Sequence, residues 1–124
     1  MLKTVGTREY TVEEVLSLAT TERRAEAVFE GYRVRLDSLR YQVFKESLVC
    51  ARCGLAGTFF LLQHATDGGP EDRAHFNLYA RRPDGELVLM TKDHTHPRSK
   101  GGRDHVSNLR TMCFPCNFQK ADST

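Results

Sequence analysis

The sequence predicts an α+β fold. Three observations carry that expectation: a capped helical stripe near the start, alternating apolar runs through the middle, and four cysteines arranged as two Cys-x-x-Cys pairs. A chain of 124 residues fits one compact domain. Within it, residues 1–48 read as a helical and strand extension packed on a core formed by 49–124.

The helical start rests on Thr11-Val12-Glu13-Glu14. Thr11 can cap the first amides while Glu14, three residues on, reaches back to the cap. Val12, Val15, Leu16 and Ala19 follow at helical spacing. Thr21 is positioned to cap a second N-terminal helix, through about Phe29, with Gly31 as its stop. Tyr32, Val34 and Leu36 alternate with Arg33 and Arg35, which predicts a half-buried strand. Ser38 to Glu46 reads as a further helix that buries Leu39, Val43 and Phe44.

The middle is β-rich. Thr58–Gln63 is a short apolar run, and Asp67–Asp72 is a polar loop. Phe76, Leu78 and Ala80 alternate with His75, Asn77 and Tyr79. Arg82-Pro83-Asp84-Gly85 carries proline and glycine where a β-turn wants them. Leu87–Met90 then completes an inserted hairpin that runs directly into Asp93-His94. A polar loop at Pro97–Asp104, an extended piece around Val106 and a helix at Pro115–Ala121 close the chain. Phe59, Phe60 and Phe76 are expected in the core.

Composition narrows the function classes. With 40% hydrophobic and 27% charged residues the chain is ordinary globular material, and its core is small enough for a metal cross-link to matter. No apolar run approaches membrane-spanning length, and the start lacks the apolar stretch of a secretory signal. A reducing cytoplasm is the expected setting. Charge is unevenly spread. Residues 92–120 hold six basic side chains (Lys92, Arg98, Lys100, Arg103, Arg110, Lys120) against two acids (Asp93, Asp104), a net +4. The remainder has twelve against fourteen, a net −2, and the two parts make up the chain's +2. A basic segment suits a phosphate-bearing partner, although many charge clusters are only solvated surface.

Cys50-Ala51-Arg52-Cys53 and Cys113-Phe114-Pro115-Cys116 contain every cysteine of the chain. Two intervening residues let a tight turn aim both thiolates at one ion, and two such turns complete a tetrahedral structural zinc site. Gly54 suits the end of such a turn, where positive φ is common. The competing readings are two disulfides or a redox pair. A reducing compartment disfavours the first, and the second lacks a thioredoxin-like context. A site closed by four sulfurs would stabilise and not catalyse.

The densest stretch is Lys92-Asp93-His94-Thr95-His96-Pro97-Arg98-Ser99-Lys100-Gly101-Gly102-Arg103-Asp104-His105-Val106-Ser107-Asn108-Leu109, continuing into Cys113-Phe114-Pro115-Cys116-Asn117-Phe118-Gln119-Lys120. Asp-His, Ser-Lys-Gly-Gly, Ser-Asn-Leu and Cys-x-x-Cys-Asn-x-x-Lys follow one another in order. Over about residues 86–121 the sequence resembles the HNH endonuclease family, in its zinc-stapled, four-cysteine branch, and a compound pattern is far more specific than its pieces. The resemblance implies a ββα-metal core, in which a two-stranded hairpin and a helix hold a catalytic divalent cation. It implies Asp93 and Asn117 as ligands of that cation, His94 as the general base, and Asn108 as the residue that fixes the histidine-bearing loop. Asn117 stands where the family frequently has histidine, which makes this chain a His-Asn-Asn variant.

Elementary chemistry agrees with that assignment. Phosphodiester hydrolysis needs an activated water and neutralisation of developing charge. A neutral imidazole can accept the proton near neutral pH, and a cation on oxygen ligands can neutralise the charge. An Asp carboxylate with an Asn carbonyl is a hard pair that suits Mg²⁺ or Mn²⁺. Arg98, Lys100, Arg103 and Lys120 are placed to touch DNA phosphates or to be solvated surface. His96 could be a third ligand, a phosphate contact or a surface residue, and the general rule for lone histidines favours the last. His105 is read as surface or cap, and His64 and His75 as strand residues.

Metal-dependent DNA cleavage or nicking is therefore the leading expectation. A paired cut from one active site would need a homodimer or two successive nicks. Small phage-borne and bacterial proteins of this build, some in larger complexes, give the expected origin. Two other readings stay open: a non-catalytic zinc-stapled nucleic-acid-binding module, and a zinc domain that docks other proteins through its N-terminal helices.

Overall fold

The structure is a computed structural model of the chain, and it describes residues 2–65 and 69–122, without the side chains of residues 98, 121 and 122. It is a mixed strand and helix fold in which strands predominate. The elements are β1 (Leu2–Thr4), β2 (Tyr10–Thr11), α1 (Val12–Leu16), β3 (Glu26–Phe29), β4 (Tyr32–Arg35), α2 (Leu39–Glu46), β5 (Phe59–Ala65), β6 (Arg73–Arg81), β7 (Leu87–His94), β8 (Leu109–Cys113) and α3 (Phe114–Asp122). Among the described residues no helix is long and apolar enough to cross a membrane. The predicted loop at Asp67–Asp72 begins outside the described residues.

β6 is the hub of the sheet. One edge pairs antiparallel with β5, from His75 to Tyr79. The other edge is divided. Its start pairs in parallel with β4 at Arg73 and Ala74, and its end pairs antiparallel with β7 from Tyr79 to Arg81. These two neighbours diverge, and α2 bridges the fork. There the Tyr41 hydroxyl accepts the Phe76 amide at 3.0 Å, which supplies a partner that no strand provides on that edge. β1 and β2 line the far edge of β5, and β3 flanks β4.

The core lies between this sheet and the two N-terminal helices. Val34, Tyr41, Phe60, Leu62, Phe76, Leu78 and Met112 are almost wholly excluded from water. Tyr10, Phe29 and Phe76 pack edge-to-face with ring centroids 4.8–6.2 Å apart, the arrangement that aromatic quadrupoles favour. Phe59 is buried too, as expected, with Tyr79 stacked on it.

Several local expectations hold. Thr11 and Glu14 form the reciprocal capping box at α1. Ser38 is the N-cap of α2, although its side chain makes no cap hydrogen bond. Gly85 takes φ 91 in the turn that joins β6 to β7.

The second N-terminal helix is not formed, and β3 occupies Glu26–Phe29 in its place. Phe29 pairs with Tyr32, so Glu30 and Gly31 are the two loop residues of a tight hairpin, with φ of 52° and 87°. Two successive positive φ values match the turn that suits strand twist. Gly31 thus turns a hairpin and does not stop a helix. The left-handed Glu30 is held through its carboxylate, which accepts from the Thr7 amide and hydroxyl and from the Tyr10 hydroxyl. The extended piece expected around Val106 is a 3₁₀ turn at Val106–Asn108, and the strand begins one residue later as β8. The His105 ring accepts the Ser107 amide and caps that turn.

His75 lies on β6 beside Arg40 and His64. Burial, then the charge of Arg40, then His64 push its imidazole down to about 4. The folded form therefore favours neutral His75, a contribution fully present above the ordinary value of ~6.5 and lost as pH falls toward 4. The thermal midpoint should drop across that window, and by less in His75→Asn. Scanning calorimetry of both proteins between pH 7 and 4 checks this, and equal slopes would contradict it.

Candidate functional site

The four cysteines converge. Their sulfurs lie within 4.8 Å of one another, and Cys53 Sγ is 3.7 Å from Cys113 Sγ. A tetrahedron with Zn–S bonds of ~2.3 Å has edges of ~3.8 Å, whereas a disulfide needs ~2.05 Å. All four are free thiols. The Cys50 amide donates to Leu55 O at 2.8 Å and the Gly54 amide to Cys50 O at 3.0 Å, which closes a tight knuckle with Gly54 at φ 83. Burial pushes the Cys50 thiol up, but the amides of Cys53, Cys113 and Arg52 outweigh it and bring it down to about 6. Burial and then the neighbouring sulfurs push Cys116 up to about 12, and burial also raises Cys113. Thiolates this close repel one another, and a divalent cation between them relieves that repulsion. The arrangement is compatible with structural zinc.

The knuckle is also sewn to β8. The Ala51 amide donates to Thr111 O at 2.9 Å, and the buried Thr111 hydroxyl donates to Ser47 O at 2.5 Å. Cys113 ends β8 and Cys116 stands in the first turn of α3, so the same cluster sets where that helix begins.

β7 and β8 form an antiparallel ladder from Met90–Cys113 to His94–Leu109. Alternation along β7 sends Val88 and Met90 into the core. Thr91 and Asp93 serve the opposite face, against α3. Asp93 is buried, and its Oδ2 accepts from Lys120 Nζ at 2.7 Å and Arg110 Nε at 3.1 Å. Lys120 Nζ also donates to His94 O at 3.0 Å. Asp93 Oδ1 makes no hydrogen bond among the described residues. Asn117 sits one helical turn before Lys120 and donates through Nδ2 to Thr91 Oγ1 at 2.9 Å. The helix thus faces the strand with Asn117 over Thr91 and Lys120 over Asp93. The Asn117 carbonyl oxygen has no protein partner among the described residues.

Asn108 ties the loop that follows His94. Its Oδ1 accepts from the Thr95 hydroxyl and the His96 amide, each at 2.8 Å. Its Nδ2 donates to Arg103 O at 2.9 Å and His96 O at 3.1 Å, and its own carbonyl accepts the Thr95 amide at 2.9 Å. His94 presents Nε2 to Asp104 Oδ1 at 2.6 Å.

The structure brings together Asp93, His94, Asn108, Asn117 and Lys120 on one hairpin and helix. Lys100 and Arg103 lie exposed on the connecting loop, and the Arg98 side chain falls outside the description. His96 is exposed, with Nε2–H donated to Lys100 O at 2.7 Å. His64 and His75 lie on β5 and β6 as expected. Sequence reasoning missed Thr91, Asp104 and Arg110 as neighbours of the site. The strand period could have pointed to Thr91, two residues from Asp93, but no local pattern marks the other two.

No curated protein and no solved structure matches this chain. Residues 81–123 match the family model described as HNH endonuclease, a span that opens at the end of β6 and takes in β7, the loop, β8 and α3. That segment is therefore similar to the HNH endonucleases, a nuclease family that acts on nucleic acid, and it contributes Cys113 and Cys116 to the four-cysteine cluster.

Proposed function

We propose that the protein is a metal-dependent DNA endonuclease or nickase, with β7, β8 and α3 as a ββα-metal core and the four cysteines holding a structural zinc. The observation that carries this reading is the juxtaposition of Asp93, His94 and the α3 side chains Asn117 and Lys120, with Asn108 bracing the loop between the two strands. Asp93 Oδ1 and the Asn117 carbonyl are the hard oxygens that would hold Mg²⁺ or Mn²⁺. Such a cation, when bound, supplies charge neutralisation at the phosphate and leaving oxygen. The residues present fit it, because Asp93 meets both neighbouring protein cations through its other oxygen.

The remaining work falls to the chain. His94 takes the proton of the attacking water. Asn108 holds the backbone on both sides of the loop, so that the ring keeps its place relative to Asp93. Lys120 gathers Asp93 Oδ2 and the His94 carbonyl, which tethers the end of β7 to α3. Arg103 and Lys100, exposed on the loop, meet the phosphates of DNA.

Supercoiled plasmid incubated with the protein and Mg²⁺ or Mn²⁺ tests this reading. Open circles are expected for nicking and linear product for paired cuts, both abolished by EDTA. A second reading, a non-catalytic zinc-stapled nucleic-acid-binding module, is favoured by one observation: Asp93 is already neutralised by Arg110 and Lys120. It requires salt-sensitive DNA binding and no cleavage with any divalent ion.

A further inference from the structure

A general base must keep one nitrogen for the proton it accepts, and the ring must be held so that this nitrogen stays aimed. At His94 the question is which nitrogen that is. Nε2 lies 2.6 Å from Asp104 Oδ1, shorter than the usual 2.7–3.2 Å range for N–H···O bonds. An ionised carboxylate only accepts, so Nε2 carries the hydrogen. In a neutral imidazole the lone pair then resides on Nδ1. Nδ1 has no hydrogen bond to any described residue. The His94 side chain is only 21% exposed, so the ring is enclosed on most sides.

Both ends of this contact are held in one frame. The Asn108 carboxamide donates to Arg103 O, immediately before Asp104, and accepts the His96 amide, two residues after His94. Lys120 fixes the His94 carbonyl. The closure of the loop by Asn108 therefore brings the backbone at Asp104 close to His94, although the Asp104 side chain itself is 46% exposed.

We propose that Asp104 is the positioning residue for His94: its carboxylate locks the ring with hydrogen on Nε2 and makes Nδ1 the proton acceptor. The assignment rests on the reading of His94 as the base. In the step itself, a water O–H bond breaks and its proton moves to the Nδ1 lone pair. The electron pair left on oxygen forms the new bond to phosphorus as the bond from phosphorus to the leaving ester oxygen breaks; that oxygen keeps the electron pair and takes a proton from water, and the Nε2–H bond stays intact throughout. Asp104 remains ionised and faces the positive ring that results, orienting the imidazole as a carboxylate does in a catalytic triad, but from an exposed position where solvent screens its charge.

The test uses full-length, zinc-loaded protein and two readouts. Long-range ¹H–¹⁵N correlation spectra, taken without Mg²⁺, report which His94 nitrogen carries hydrogen. Wild type should show the Nε2–H form alone, and Asp104→Ala a mixture of both. Asp104→Glu, which keeps a carboxylate, should recover part of the wild-type pattern. In plasmid nicking, Asp104→Ala should lower kcat by about 10- to 100-fold, the usual cost of losing an orienting partner, with little change in KM. An unchanged His94 tautomer in Asp104→Ala, or a kcat within about twofold of wild type, would overturn the proposal. Because the spectra need no cleavage, a wild-type protein that binds DNA without cutting it would sink the nuclease reading while the Asp104 contact is judged separately.

Discussion

Cys113→Ser should lower the thermal midpoint by at least about 15 °C and release the zinc that we propose the cluster holds. Cys113 is the buried end of β8, and its sulfur contacts the opposite knuckle through Cys53. Zinc binding to such sites contributes about 10–16 kcal/mol, as large as the whole stability of a typical domain, about 5–15 kcal/mol. Losing even ~4–5 kcal/mol of it in a chain of this size gives the stated shift. The loss would spread beyond the metal. The 50–54 knuckle would no longer be pinned against α3, and the Ala51–Thr111 hydrogen bond would lose its main support. Metal analysis and calorimetry of wild type and variant check this. An unchanged midpoint with no bound zinc in either protein would show that the cluster is not a metal centre.

His94→Ala should cut plasmid nicking by about 100- to 10,000-fold, the contribution expected of a positioned general base. Zinc content and thermal midpoint should stay near wild type. His94 ends β7, its ring meets the loop and not the core, and the backbone contacts around it are made by its neighbours and by its own carbonyl. The variant should still bind DNA in EDTA, with the same dependence on salt. Nicking near the wild-type rate in this protein would remove His94 from the role of base.

Local signals in the sequence were read faithfully where the structure is local. The capping box at Thr11–Glu14, the turn at Arg82–Gly85 and the Cys50–Gly54 knuckle each depend on residues within a few positions of one another. β3 was misread because its strand character comes from pairing. Thr21 and Gly31 look like helix punctuation, but Ala27 and Phe29 turn inward with a period of two once Tyr32–Arg35 lies beside them. The parallel contact between β4 and β6 joins residues 40 apart and has no signature along the chain. At the site, Asp93, His94, Asn108 and Asn117 were named from a compound motif. Asp104 was counted only as a charge, because its approach to His94 depends on how Asn108 closes the loop. Lys120, open in sequence between phosphate contact and solvated surface, lies on Asp93, one helical turn beyond Asn117, a relation visible only with the helix seated on the strand.

β7 belongs to two ladders in succession, leaving β6 after Leu89 and joining β8 from Met90 onward. Its alternation is therefore fixed at both ends, by Val88 and Met90 in the core and by Thr91 and Asp93 under α3. A single residue added or removed between Leu89 and Asp93 would exchange the two faces, sending the carboxylate toward the apolar interior and an aliphatic side chain toward the helix. Descendants of this sequence are thus free to lengthen or shorten the turn at 82–85, but the short span that follows behaves like a reading frame, closed to any change in length.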